Sequence, residues 1–291
     1  MAYRSLAEIE ERCREEQISF QEAVLLDDLN ERGATREQSR AAMENLWNAM
    51  KEAAAGYDPA LRSNSGLVGG AGSQMREYLQ KGRSLCGDFT GKVIASALEM
   101  GESNACMKRI VAAPTAGACG VLPAVLVNYQ QEYHTPDEEI VDALYVAAGI
   151  GQVIASRAFI AGALGGCQAE IGSASAMAAG ALTALNHGNA SQISHAAAMA
   201  LKNLLGLVCD PVGGLVEVPC VKRNVIGAVN ALSAADMSLA GIESRISPDQ
   251  VIDAMRQVGE QMHPSLKETG EGGLAATPDA KNAFHFVEGL V

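Results

Sequence analysis

The sequence predicts an all-α fold. Helix-start and helix-stop signals recur along the chain, and apolar residues fall at helical spacing between them. The alternating apolar–polar runs of a half-buried strand are scarce. Composition points the same way. Of 291 residues 48% are hydrophobic but only 4% aromatic, so the core is largely Ala, Gly, Val, Leu, Ile and Met. Small residues of this kind let helices approach closely. The length suffices for one large domain or two ordinary ones, with a substantial core.

Taken in order, "SLAEIEERCREEQ" (5–17) is an acidic helix. "SFQEAVLLDDLNERG" (19–33) follows and stops at Gly33, a C′ position. Thr35 with Gln38 three residues on forms a capping box, after which Ala42, Leu46 and Met50 recur at helical spacing. Residues 56–72, "GYDPALRSNSGLVGGAG", break the pattern with turn formers and mark a boundary. It divides an N-terminal helical segment, 1–56, from a compact helical domain, 57–291. From residue 75 the chain is mostly helical again. In Thr135-Pro136-Asp137-Glu138 the Thr caps, Pro takes N1 and Glu closes the box; Ser247-Pro248-Asp249-Gln250 repeats the device. Between them, "CQAEIGSASAMAAGALTALNHG" and "SQISHAAAMALKNLLGLVC" read as Ala-rich buried helices. Only "RIVAAP" (109–114) and "LVEVP" (215–219) look extended. The chain closes with a Gly-rich segment and a short end.

The net charge of −12, with no basic stripe, argues against a nucleic-acid partner and against an anionic membrane surface. The opening "MAYRSLAEIEERCREEQ" has no apolar signal region, so the expected location is the cytoplasm. Residues 143–166 are long and apolar enough to test as a membrane span. Arg157 near the middle would cost about 2.5–3.5 kcal/mol at a bilayer centre, and a buried helix or helix pair is the better reading. "GLVGGAG" lacks the G-x-G-x-x-G spacing and a preceding strand, and the glycines of "GDFTGKV" are too close for a P-loop; both read as loops.

The chemistry gathers in "CDPVGGLVEVPC" (209–220) and in "GALGGCQAEIG", which places Cys167 after Gly165-Gly166. Cys209 follows Cys167 by 42 positions and Cys220 follows Cys209 by 11, each in a Gly- or Pro-bearing turn. In a reducing compartment seven cysteines are poor candidates for structural disulfides. Three convergent thiolates in an apolar shell suit an iron–sulfur cluster. They suit tetrahedral zinc less well, since a fourth Cys or His usually lies near in sequence. Inert core cysteines remain the alternative, because free Cys is among the most buried residue types.

Four stretches decide between these by likeness. "RIVAAPTAGACGVLPAVL" (109–126), "GGCQAEIGSASAMAAGAL" (165–182), "NLLGLVCDPVGGLVEVPCVKRNVIGAVNAL" (203–232) and "KETGEGGLA" (267–275) resemble, in order, the iron–sulfur-dependent L-serine dehydratase family, specifically its α subunit or catalytic domain. The resemblance implies that Cys167, Cys209 and Cys220 hold a 4Fe–4S cluster whose fourth iron is left for L-serine, and that residues 57–291 are the catalytic domain. It implies elimination of water without pyridoxal phosphate, giving pyruvate and ammonia. No cysteine follows Cys220 in this sequence, and Cys13, Cys86, Cys106 and Cys119 are left with structural readings.

Around the cluster the resemblance suggests further roles. Thr115 with the amides of Ala116 and Gly117 would hold the substrate carboxylate, or Thr115 would simply cap a turn. Asn203 and Asp210 flank the second ligand, where they would bond substrate or order the ligand surroundings. Arg223 and Asn224 follow the third ligand; Arg223 would meet a carboxylate or form a buried ion pair. Ser63, Asn64 and Ser65 resemble a loop near substrate, and Lys267 with Glu268 would close the site. None of His134, His187, His195, His263 and His285 lies in a catalytic motif. Single-chain relatives carry a Ser-Ser-His-Thr-x-Gly-Pro type motif that is absent here, so the base is expected from a separate β subunit. A homo-oligomer is also compatible with the family.

Overall fold

The computed structural model describes residues 3–82 and 84–288, and side chains up to residue 283. Thirteen α-helices occur among the described residues: α1 Leu6–Glu16, α2 Phe20–Arg32, α3 Arg36–Ala55, α4 Ala71–Gln80, α5 Gly87–Ala105, α6 Val121–Tyr133, α7 Asp137–Arg157, α8 Gly162–Gly165, α9 Ser173–Leu185, α10 Ala190–Lys202, α11 Cys220–Leu239, α12 Pro248–Gln261 and α13 Pro278–Glu288. Among these residues there is no strand, and one isolated parallel bridge joins Cys209 to Lys267. The all-α expectation is borne out.

Helix α9 is the centre. It packs on α6, α7, α10 and α11, and of its thirteen residues only Ala184 is not buried. Its sequence, Ala, Gly and Ser with few large side chains, explains how four helices fit around it. At Gly180 an added Cβ would collide with Ile150 Cδ1 on α7, so glycine sets that crossing distance. Gly227 on α11 is closed in the same way: an added Cβ would stand 2.9 Å from both Ile171 Cγ2 and Val121 Cγ2. Helices α1 to α3 wrap this bundle, α1 against α10 and α12, α2 against α7, and α3 against α5, α6 and α7. Their Leu6, Ile9, Phe20 and Trp47 belong to the same buried cluster as Ile150 and Leu182.

The caps follow the sequence closely. Gly33 closes α2 with φ 59°, and Thr35 and Gln38 form the reciprocal box that opens α3. Pro248 stands at N1 of α12 as expected, with Ser247 at the cap, but no side chain caps the helix. Asp249 instead accepts the amides of Leu6 and Ala7, capping α1 from a distance. At α7 the start is one residue later than the sequence suggests: Pro136, not Thr135, takes the cap position. There Asp137 accepts from Trp47 Nε1, Lys51 Nζ and Gln130 Nε2, and this tertiary set outweighs the local box.

Spacing alone misplaces one helix face. The buried face of α3 runs through Ser39, Trp47, Met50 and Ala53, and Leu46 is 47% exposed; spacing fixes the period but not the phase. "RIVAAP" and "LVEVP" are not strands, because each is short and no neighbouring segment pairs with it. Helix α7 is long and apolar enough to cross a membrane, yet 67% of its most apolar window is buried in the fold. Its Arg157 pairs with Asp253 of α12 at 2.9 Å, so the helix reads as core. After the Gly-rich loop, Ala71 and Gly72 N–H donate to the buried Glu102 carboxylate, which thus occupies the start of α4.

Candidate metal centre

Three separate elements deliver three buried thiols to one place. Cys167 follows α8 through Gly166, where a φ of 76° and the Leu207 carbonyl, 2.8 Å from where a Cβ would stand, favour glycine. A π-turn, Gln168–Gly172, then leads into α9; such insertions often mark functional positions. The fully buried Gln168 fixes this turn. Its amide nitrogen donates to the Met255 carbonyl, its side-chain oxygen accepts Gly206 N–H, and its backbone N–H donates to Leu207.

Cys209 sits in an extended loop gripped by the C-terminal motif. Its N–H donates to the Leu266 carbonyl and its carbonyl accepts Glu268 N–H, each at 2.8 Å. Cys220 is the first residue of α11, after Pro219. One turn on, Arg223 reaches back across the site. Its Nη1 lies 3.4 Å from Cys167 Sγ and 2.7 Å from the Val208 carbonyl; its Nη2 pairs with Asp210 at 2.7 Å. The Asp210 carboxylate also accepts Leu274 N–H at 2.8 Å. One guanidinium thus joins a thiol, the Cys209 loop and, through Asp210, the C-terminal motif.

The electrostatics favour one thiolate first. A hydrogen bond from Cys209 and the charge of Arg223 hold the Cys167 thiol below its ordinary range, against the burial that raises it. Its donor Cys209 is pushed far up by the same bond and by burial, and burial with the Cys167 charge raises Cys220 to about 12. A metal ion supplies the positive charge that would ionise all three. Three buried thiols, one of them bonded by a guanidinium, suit a thiolate-ligated iron–sulfur cluster. Cys119 is not a fourth: it is fully buried, its sulfur faces the Met100 carbonyl, and burial raises it to about 12. Cys13, Cys86 and Cys106 lie on α1 and at the two ends of α5.

The other sequence-derived residues fall into distinct places. Thr115 Oγ1 donates to Glu170 at 2.7 Å, at the head of the short turn Ala116–Ala118. Asn224 is buried and holds that turn: its oxygen accepts Gly120 N–H and its nitrogen donates to the Gly117 and Cys220 carbonyls. Ser63 and Ser65 both donate to Glu217, a buried carboxylate in the loop between Cys209 and Cys220. Lys267 is beside Cys209 through the backbone bridge, and Glu268 is close enough to Glu170 to disfavour its charge. Asn203 is exposed at the end of α10, where its amide donates to Asn230. Among the histidines, His195 accepts Ser244 N–H and His263 bonds Ser265, while the side chain of His285 lies outside the described residues.

Two acids escaped the sequence reading. Glu170, three residues after Cys167, has its ligand oxygen within 4.8 Å of the Cys167 and Cys209 sulfurs. Burial raises its pKa against the Thr115 hydrogen bond. Glu217 is the other. Each is the lone charge in an apolar stretch, 168–186 and 211–219, and that isolation is the signal available beforehand. A cavity of about 610 Å³ opens elsewhere, between α1, α2 and the α9–α10 turn, and of the cysteines only Cys13 lines it.

The family model described as serine dehydratase alpha chain matches residues 8–275. The chain is 43% identical over 279 residues to a protein of Bacillus subtilis named probable L-serine dehydratase, alpha chain, covering 96% of this chain and 93% of that one. It is 42% identical over 271 residues to the L-serine dehydratase, alpha chain, of Peptoniphilus asaccharolyticus, covering 93% of each. The L-serine dehydratase of Mycobacterium bovis is 39% identical over 288 residues; the match covers 94% of this chain but 61% of that longer one.

Proposed function

From the premise that the chain belongs to the serine dehydratase alpha chain family, we propose that it is the cluster-bearing subunit of an L-serine dehydratase of the cytoplasm. The observation that carries this is the convergence of the buried Cys167, Cys209 and Cys220 thiols, with Arg223 bonded to Cys167. These three would hold a 4Fe–4S cluster, which when bound supplies a Lewis-acidic iron free of a protein thiolate. L-serine then loses its α-proton and its β-hydroxyl, and the aminoacrylate released tautomerises and hydrolyses to pyruvate and ammonia.

The chain's own residues do the holding. The amides of Ala116 and Gly117, in the turn that Thr115 opens beside Glu170, receive the substrate carboxylate, and the Thr115 hydroxyl, bonded to Glu170, would have to turn from it to join them. Asn224 keeps that turn in register with Cys220. Arg223 and Asp210 are positioning residues: the guanidinium neutralises thiolate charge at Cys167, and Asp210 holds that guanidinium and anchors the C-terminal motif through Leu274 N–H. Ser63 and Ser65, through Glu217, tie the 57–70 loop to the segment between Cys209 and Cys220. The general base would come from a separate β subunit, in keeping with the 61% of the Mycobacterium bovis protein that this chain matches. The test is anaerobic reconstitution with and without the β subunit, followed by pyruvate formation from L-serine. The reading requires turnover with both chains, and its loss in Cys167→Ser, Cys209→Ser and Cys220→Ser. Full activity in any one of these variants removes that residue from the ligand set.

A further inference from the structure

The cluster-free chain offers a second kind of metal site, made by Glu170 with two of the thiols. Among the described residues, one group of Cys, His and acidic side chains has all its ligand atoms within 4.8 Å of one another: Cys167, Glu170 and Cys209. Cys220 is not in that group. The difference has a chemical meaning. A single tetrahedral ion binds at about 2.0–2.3 Å, so its ligands must lie within about 4 Å of each other. A cluster keeps its cysteines farther apart, because the metal–sulfide body lies between them.

Glu170 is aimed at the thiols rather than placed there by chance. Thr115 donates to its Oε1. Its Oε2 faces Gly162, where an added Cβ would stand 2.7 Å from Oε2 and 3.2 Å from Cys209 Sγ. Gly162 therefore keeps open the gap between carboxylate and sulfur. Two thiolates and a carboxylate carry three negative charges; a divalent ion and the Arg223 guanidinium on Cys167 balance them. Sulfur and carboxylate oxygen together are zinc ligands, with a fourth position for water.

We propose that the metal-free chain binds one zinc ion through Cys167, Cys209 and Glu170, and that this occupancy excludes assembly of a cluster on the same cysteines. Zinc binding itself does not depend on the dehydratase reading, since it needs only these three side chains; the exclusion does.

The test uses the full-length chain stripped of metal under anaerobic conditions. Zinc is titrated against a chromophoric chelator, and cobalt(II) replaces zinc to report sulfur ligands through its charge-transfer bands. The expected result is one zinc per chain and a cobalt spectrum with two thiolates. Cys167→Ser or Cys209→Ser abolishes it and Cys220→Ser leaves it. Glu170→Gln weakens zinc by at least ~10-fold, because even residues outside the ligand shell are worth ~10–100-fold. Gly162→Ala, which keeps every ligand, also weakens it. Zinc added before iron and sulfide suppresses cluster formation; added afterwards it does not. Absence of zinc binding, three thiolates in the cobalt spectrum, or an unchanged affinity in Glu170→Gln overturns the proposal. A cluster that assembles normally in a chain already holding zinc overturns the exclusion. A chain that takes zinc as expected but assembles no cluster in its absence upholds the zinc site and removes the dehydratase mechanism instead.

Discussion

Arg223 makes hydrogen bonds to a thiol, a carbonyl and a carboxylate, and all three partners are otherwise inside the protein. The Arg223 and Asp210 side chains are 10% and 4% exposed. Removing one member of such a pair leaves the other buried and uncompensated, at a cost of about 3–5 kcal/mol. Arg223→Met should therefore lower the unfolding free energy by that amount in chemical denaturation. Arg223→Lys should restore only part of it, since an ammonium cannot bridge three acceptors from one plane. Glu217 offers a milder case. Glu217→Ala removes the acceptor of Ser63 and Ser65, so trypsin should cut at Arg62 faster than in the wild type while the global midpoint moves little. Sequence reading found the cysteines, Asp210 and Arg223 because their spacing lies within motifs. It did not find Glu170 or Glu217, since a single acid in an apolar run gives no hint of which distant side chain it meets. For Asn224 the surprise is role: the side chain is engaged with the backbone of two neighbouring turns.

Among the elements, α7 shows how local signals and tertiary contacts compete. Its first residue, Asp137, is bonded by Lys51, Gln130 and the indole of Trp47, and these hold its carboxyl down to about 2. A carboxyl depressed on folding contributes stability above its ordinary value of about 3.9, and that contribution disappears as the pH falls through about 2. The Asp137 side chain is 54% exposed, so the ionic part stays below ~1 kcal/mol. Trp47 is buried and is the chain's one tryptophan. Asp137→Ala leaves its N–H unsatisfied, at about 1–3 kcal/mol, and fluorescence-monitored unfolding should show this at pH 6. Asp137→Asn keeps an acceptor and should cost less, with the difference from wild type shrinking between pH 5 and pH 2. Between α7 and α9, Gly180→Ala drives a methyl into Ile150 Cδ1; the overpacking, about 1–3 kcal/mol, is offset by the ~1 kcal/mol that Ala gains over Gly in a helix, so the net loss should stay below ~2 kcal/mol. Caps and Ala-rich burial were legible in the sequence because they are local. The start of α7, the phase of α3 and the fate of "LVEVP" were not, because each is decided by what packs against it.

For the whole molecule, the fold brings the segments that carry the family resemblance to one place. The short turn that Thr115 opens, the π-turn after Cys167, the 209–220 loop and the C-terminal motif are far apart in the sequence yet are tied by Asn224, Arg223 and Asp210. Apolar side chains remain exposed beside these segments: Leu164 at 58%, Leu274 at 45% and Val216 at 37%. On the proposed function, adding a β chain should raise serine turnover from none to a measurable rate without changing the iron content. On the same proposed function Cys167, Cys209 and Cys220 together hold the cluster. The most direct test of this is iron and acid-labile sulfide per chain after anaerobic reconstitution, with the visible spectrum, for wild type and Cys220→Ser. The account expects about four of each in the wild type and their loss in the variant. Neither sulfide nor colour in the wild type, or a full complement in Cys220→Ser, would contradict it.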